Sequence, residues 1–134
     1  MLRSLALILS VSVLTISGCD SQPPLLEVGG TVTYKKEPVK FGTISFRAED
    51  GATGAAQIVD GKYTMAPEAG LKEGNYRVAI SYPDPKIPQP SEDQPPGEAR
   101  PNREMLPKKY NTETTLTAEI KAGADNKAIN FDLE

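Results

Sequence analysis

The sequence predicts an all-β protein, a seven-stranded antiparallel β-sandwich that follows an N-terminal signal segment. Three observations predict this fold class. Apolar and polar side chains alternate in seven short segments, turn-forming residues separate these segments at intervals of roughly 8 to 12 residues, and no segment has the period of an amphipathic helix. A seven-stranded antiparallel barrel is the alternative that the same pattern allows.

The N-terminal segment has the features of an export signal in their usual order. A positive charge at Arg3 precedes an unbroken run of apolar and small residues from Leu5 to Ile16, and the small pair Ser17 and Gly18 comes directly before Cys19. The apolar run is too short to span a membrane. This order resembles the bacterial lipoprotein signal, in which the cysteine sulfur carries diacylglycerol and the chain is cut before the cysteine. An ordinary signal peptide with an accidental cysteine is the alternative.

The lipoprotein interpretation divides the chain into three parts. Residues 1–18 are the signal peptide, residues 19–27 are a lipidated tether, and residues 28–134 are the β-sandwich domain. Several acyl chains on Cys19 would hold the protein to a membrane of the cell envelope almost permanently. The side and the leaflet stay open. Because Cys19 is the only cysteine, the domain has no disulfide and must be stabilised by burial alone.

Composition excludes several classes of function. The chain has 15 Lys and Arg against 18 Asp and Glu and no basic cluster, so we expect no nucleic-acid partner. It has no histidine, which excludes histidine-based nucleophilic relays, zinc sites built on histidine and type I copper. We therefore expect no catalytic residues, no metal site and no cofactor.

The first predicted strands form a hairpin. From Val28 to Tyr34 the apolar residues fall on one face, which is the pattern of a half-buried strand. The polar residues from Lys35 to Pro38 supply a turn with φ fixed at the proline. The next strand begins near Phe41 and places Ile44, Phe46 and Ala48 inward.

Three further strands continue the alternation. Gly54 to Val59 is a weaker strand, and the pair Asp60 and Gly61 predicts a tight hairpin turn because glycine accepts a positive φ. The strand after the turn places Tyr63 and Met65 inward. The segment from Tyr76 to Tyr82 has the clearest alternation, so we expect it in the interior of the sheet.

A proline-rich connection interrupts this pattern at residues 83–112. Its prolines exclude it from a sheet, and its polar composition predicts a mobile segment from about Pro85 to Arg103, either a spacer or a binding loop. Two last strands follow it, Leu116 to Ile120 and Ile129 to Leu133. The predicted core consists of Val32, Ile44, Phe46, Tyr76, Val78, Ile80, Leu116, Ile120, Phe131 and Leu133.

Several short motifs in one order carry a family resemblance. They are Val28–Tyr34, Glu37–Val39, Gly42–Phe46, Asp60–Tyr63, Gly74–Ile80 and Pro107–Asn111. The order is similar to that of carboxypeptidase regulatory-like, or transthyretin-like, domains and more narrowly to small lipoproteins of the planctomycete type. The resemblance implies an immunoglobulin-like sandwich and no particular activity. The catalytic relative in this group, hydroxyisourate hydrolase, needs histidines that this chain lacks.

Few residues are candidates for binding. Glu92 and Asp93 are neighbouring carboxylates in the proline-rich connection, although such groups are ordinarily solvated. The chain has no tryptophan, and four of its five tyrosines lie at inward positions of strands. A carbohydrate partner is therefore not expected, because such sites use exposed aromatic rings. Tyr110 is the tyrosine ring most available to contact a ligand. A second interpretation makes Tyr110 a corner residue that ties the connection to the domain.

These observations favour a membrane-anchored, non-catalytic binding or structural module of the cell envelope. Its expected partners are the membrane, through the lipid on Cys19, and an envelope protein. The alternative is an accessory subunit or a carboxylate-dependent hydrolase, which would need a base or nucleophile that the sequence does not display.

Overall fold

The computed structural model describes residues 23–87 and 103–134, and almost all of their regular structure is β. The strands are β1 (Val28–Tyr34), β2 (Glu37–Pro38), β3 (Phe41–Ala48), β4 (Thr53–Val59), β5 (Lys62–Met65), β6 (Gly74–Ser81), β7 (Thr117–Ile120) and β8 (Phe131–Leu133). Two single-turn 3₁₀ helices lie at Pro67–Ala69 and Lys108–Tyr110. Within these described ranges, no helix is long and apolar enough to cross a membrane. The predicted all-β class is confirmed.

The strands form one continuous sheet that curls around the core. Its order is β2-β1-β5-β4-β3-β6-β7, and β8 pairs with β1 outside this path. Seven of the strands are the predicted ones, and the two-residue β2 is an addition. One detail differs from the sequence prediction: β8 runs parallel to β1. As predicted, β6 is an interior strand, paired with β3 and β7.

Strand β1 is paired along both of its sides. Its first half pairs with β5, and its second half pairs with β2 on that side and with β8 on the other. The main chain of Gly29 accepts a hydrogen bond from Ile129 N (3.0 Å) and donates one to Asn126 O (2.9 Å), so the approach to β8 also lies along β1. A Cβ at Gly30 would lie 1.9 Å from Ile129 O. Glycine at position 30 is therefore required by this close approach.

The two short hairpins use the same backbone conformation with different residues. Asp60 and Gly61 have φ of 49° and 76°, as expected of a two-residue turn that matches strand twist. The first turn lies within the predicted range Lys35–Pro38 but is shorter than predicted. Its central residues are Lys35 and Lys36, with φ of 52° and 68°, and Pro38 instead lies in β2 opposite Thr33.

The core lies inside the curl and contains the predicted residues. All of them are buried except Leu116, which is half-buried and packs against the others. Phe46 is at the centre, with its ring centroid 6.0 Å from that of Tyr63 and 6.4 Å from that of Tyr76. The core also contains buried residues beyond the ten predicted for it, among them Tyr63 and Met65, which the strand pattern had already placed inward. These further residues are Val28, Val39, Ala56, Ile58, Tyr63, Met65, Leu71, Leu106, Tyr110 and Ala118.

Asn126 is the buried polar residue among those described, and it fixes the connection between β7 and β8. Its side-chain amide donates to Lys121 O (2.9 Å) and accepts from Lys121 N (3.3 Å). Its main-chain carbonyl accepts from Gly29 N. Because all these groups are paired, burial of the amide carries no unsatisfied hydrogen bond. Asn126 thereby holds the last connection against β1.

The end of the predicted tether is attached to the domain. Leu26 and Leu71 exchange two main-chain hydrogen bonds, of 2.8 and 3.1 Å. The carboxylate of Glu27 lies 2.8 Å from the ammonium of Lys127. The segment assigned to the tether, residues 19–27, therefore overlaps the folded domain by its last two residues.

The strand register gives the domain two distinct ends. The near pole, where the chain enters, contains residues 26–27, 49–52, 66–73 and 121–127. The far pole contains residues 34–37, 39–40, 60–61, 82–84 and 103–110. This division follows because β1 runs from the near pole to the far pole, β6 runs the same way through its pairing with β3, and β8 is parallel to β1.

We expect Phe46→Ala to lower the free energy of unfolding by about 3–5 kcal/mol, because it leaves a cavity between two aromatic rings. Phe46 is 1% exposed. The control is Val59→Ala, since Val59 is 62% exposed, and its change should stay within about 0.5 kcal/mol. Urea unfolding measures both. Equal effects of the two substitutions would show that the curled sheet does not enclose the core described above.

Candidate functional site

The structure describes only part of the candidate site. Cys19, Glu92 and Asp93 lie outside the described residues, so the lipid anchor and the acidic pair stay predictions. Tyr110 and both ends of the proline-rich connection are described. They lie together at the far pole.

The two ends of the proline-rich connection pair with each other. Pro83 and Glu104 form an antiparallel bridge. Asp84 N donates to Arg103 O (2.8 Å), and Met105 N donates to Tyr82 O (2.9 Å). The connection therefore leaves and re-enters the domain at one place. The ordered base includes Arg103, which the sequence assigned to the mobile segment.

Glu104 holds this base together with three hydrogen bonds. One carboxylate oxygen accepts from the Ser81 hydroxyl (2.6 Å), and the other accepts from the amides of Tyr82 (2.8 Å) and Leu106 (3.1 Å). Hydrogen bonds to a charged acceptor are stronger than neutral ones. The sequence analysis missed Glu104, and the only local signal was its place directly before the apolar residues Met105 and Leu106.

Tyr110 lies where the connection returns to the sheet. Its ring is buried, and its hydroxyl donates to Glu134 O and accepts from Glu134 N, both at 3.0 Å. The ammonium of Lys109 lies 4.7 Å from the ring centroid. A hydrogen bond from the Lys109 side chain, together with the main-chain hydrogen bond from Glu134, lowers the pKa of the Tyr110 phenol. The geometry is that of the corner residue in the second interpretation, and little of the ring is open to a ligand.

The proline-rich connection returns to the domain through Met105 and Leu106. Leu106 is buried in the core together with Tyr110. Met105 is attached by its main chain alone, since its side chain is exposed. Within residues 23–87 and 103–134, no three His, Cys, Asp or Glu side chains are close enough together to hold a metal ion.

A second feature lies on the outer face of the sheet. Arg47 in β3 is directly opposite Arg77 in β6. Cavities of about 350 and 370 Å³ lie on the two sides of this pair. The sequence places both arginines outward in their strands, but it does not show that the two strands are neighbours in this register.

Comparisons with known proteins identify no relative. No family model, no curated protein and no solved structure matches the chain. The resemblance to transthyretin-like lipoproteins therefore stays a prediction from the motifs.

We expect Glu104→Ala to destabilise the domain by about 1.5–3 kcal/mol, because it leaves two amides and a hydroxyl at the base without their charged acceptor. Hydrogen exchange at the Tyr82 and Leu106 amides should become faster. The control is Glu68→Ala, at an exposed residue of the near pole. Unchanged exchange at both amides in Glu104→Ala would mean that the carboxylate does not hold the base.

Proposed function

We propose that this protein is a membrane-anchored, non-catalytic binding module of the cell envelope, with an envelope protein as its partner. The anchor is the lipid expected on Cys19. The order of charge, apolar run and small residues before Cys19 supports this part of the proposal.

One structural observation carries the proposal further. Leu26 pairs with Leu71 at the near pole, so a chain coming from an anchored Cys19 joins the domain at one end. An extended chain covers about 3.3–3.6 Å per residue, so the segment from Cys19 to Leu26 reaches roughly 25 Å at most. The near pole is thereby kept close to the membrane. The far pole, with the base of the proline-rich connection, is left for contacts away from the membrane.

The rigidity of the far pole also supports a binding role. Glu104 and Tyr110 fix both ends of the connection through hydrogen bonds to the sheet. A binding segment that starts from fixed ends loses less conformational freedom when it contacts a partner. The connection thus begins and ends at positions that the sheet fixes.

We expect Cys19→Ala to release the protein from membranes or to stall its processing, because the thiol that would carry the lipid is lost. Fractionation of cells into membrane and soluble parts measures the release, and mass spectrometry of the mature N-terminus measures the modification. The matched control is Ser21→Ala, which should change neither. A Cys19→Ala protein that is still processed and membrane-bound would refute the anchor.

Replacing residues 88–102 with a short Gly-Ser linker should change the free energy of unfolding by only about 1 kcal/mol. The cost of closing a loop depends weakly on its length, and the base from Tyr82 to Asp84 and Arg103 to Leu106 is kept. Urea unfolding is the measurement. A much larger loss would show that the replaced segment packs on the domain.

The same shortened protein locates the partner surface. The measurement is cross-linking to envelope proteins in intact cells. If cross-linking persists after the replacement, the partner contacts the sheet. If cross-linking is lost, the partner contacts the proline-rich connection. Turnover of a model ester or glycoside that is lost in Glu92→Gln or Asp93→Asn would instead favour the hydrolase alternative.

A further inference from the structure

We propose that the outer face of β3 and β6 carries a binding site for carboxylate groups, formed by Arg47, Arg77 and Asn111, and that its ligand is an acidic peptide segment. This inference rests on the proposed function in taking the domain as a binding module. It adds the chemistry of the partner and the position of the contact.

The first observation is the placement of two like charges side by side. The register places Arg47 and Arg77 directly opposite each other in neighbouring antiparallel strands. Both side chains are exposed on the face that points away from the core. Like charges in this position destabilise a sheet. An anion bound between them removes the repulsion and accepts hydrogen bonds from both.

The second observation is that neither arginine has an anionic partner within residues 23–87 and 103–134. Among the described residues, the ion pairs join Lys121 to Glu119 and Lys127 to Glu27, and neither Arg47 nor Arg77 takes part in one. The whole chain carries a net charge of −3, so acidic groups are in excess. Two unpaired guanidinium groups beside each other are therefore not a consequence of a shortage of carboxylates.

The third observation is a hydrogen-bond donor without an acceptor, the side-chain amide of Asn111, in the same cavity as the two arginines. Asn111 lines the cavity of about 350 Å³ together with both arginines. Its carbonyl oxygen accepts from Thr112 N (2.6 Å), while its amide nitrogen is buried and has no hydrogen-bond partner. An unpaired buried donor is costly, and a ligand oxygen in the cavity would satisfy it.

The cavities give the site the form of an open groove. The arginine pair also lines the second cavity, of about 370 Å³. Ser45, Thr112 and Thr114 also line the first cavity. A groove that continues across the arginine pair fits an extended segment better than it fits a compact ion.

The charges at the two ends of the groove select the kind of anion. Glu113 lines the first cavity, and Glu49 lines the second. These carboxylates repel a doubly charged phosphate more strongly than a singly charged carboxylate. The planar guanidinium groups also match the two oxygens of a carboxylate. A carboxylate on a peptide is therefore the ligand that the groove favours.

The test measures binding of a fluorescein-labelled Gly-Ser-Glu-Ser-Gly peptide, which carries a single side-chain carboxylate and an amidated C-terminus, to the full-length chain in detergent by fluorescence anisotropy. We expect Arg47→Gln with Arg77→Gln to raise the Kd at least tenfold. Lys40→Gln with Lys62→Gln removes the same charge from exposed positions elsewhere, and we expect its Kd to stay within twofold. Asn111→Ala should raise the Kd severalfold, because one donor is lost.

Three results would overturn the site. They are an equal loss of affinity in the arginine and lysine double variants, wild-type affinity in Asn111→Ala, and displacement of the peptide by inorganic phosphate at lower concentration than by acetate. Thermal unfolding of the arginine double variant provides an independent check. It should be at least as stable as the wild type, since the like-charge contact is gone.

Membrane fractionation of the same variants separates this inference from the proposed function. The arginine double variant should remain membrane-bound while it fails to bind the peptide. Release of the wild-type protein from membranes would refute the anchor and leave the peptide-binding result unaffected.

Discussion

The two-sided pairing of β1 is the constraint on which the rest of the fold depends. The strand meets β5 and β2 on one side and the segment from Asn126 to Leu133 on the other. The last part of the chain can reach β1 only because Gly30 has no side chain to meet Ile129 O. With that contact in place, the connection from β7 to β8 passes around the core. The buried Asn126 holds this connection through its hydrogen bonds to Lys121. The curl of the sheet, the enclosure of Phe46 and the two poles all follow from it.

Sequence reasoning found the strands because their evidence is local. The alternation from Tyr76 to Tyr82 predicts a strand from a few neighbouring residues. The pair Asp60 and Gly61 predicts a hairpin turn in the same way. The parallel pairing of β8 was not predictable in this way, since it joins residues such as Val32 and Phe131 that are 99 positions apart. The two-residue form of the turn at Lys35 and Lys36 was missed for a different reason. Lysine rarely takes a positive φ, and here the Lys35 amide is held by Leu133 O (2.8 Å) once β8 is in place.

The candidate sites show the same division between local and distant information. Tyr110 stood out because it was the aromatic residue outside strand phase, and the structure gives it the corner position. Glu104 looked like one more acidic residue in a polar segment, and its role depends on Ser81 being opposite it. The outward direction of Arg47 and Arg77 was readable, but their juxtaposition needed the β3–β6 register. A residue type indicates what chemistry is possible, whereas the register decides which groups share one place.

The route of β1 has a mechanical consequence. The strand enters at the near pole beside Leu26 and ends at the far pole at Tyr34. Under the proposed function, a pull between the lipid and the partner would act along the length of this strand. Its hydrogen bonds to both neighbours lie across that direction, so such a force would load them in shear and together, instead of peeling them apart one after another. The sheet would accordingly transmit the pull as a stiff link.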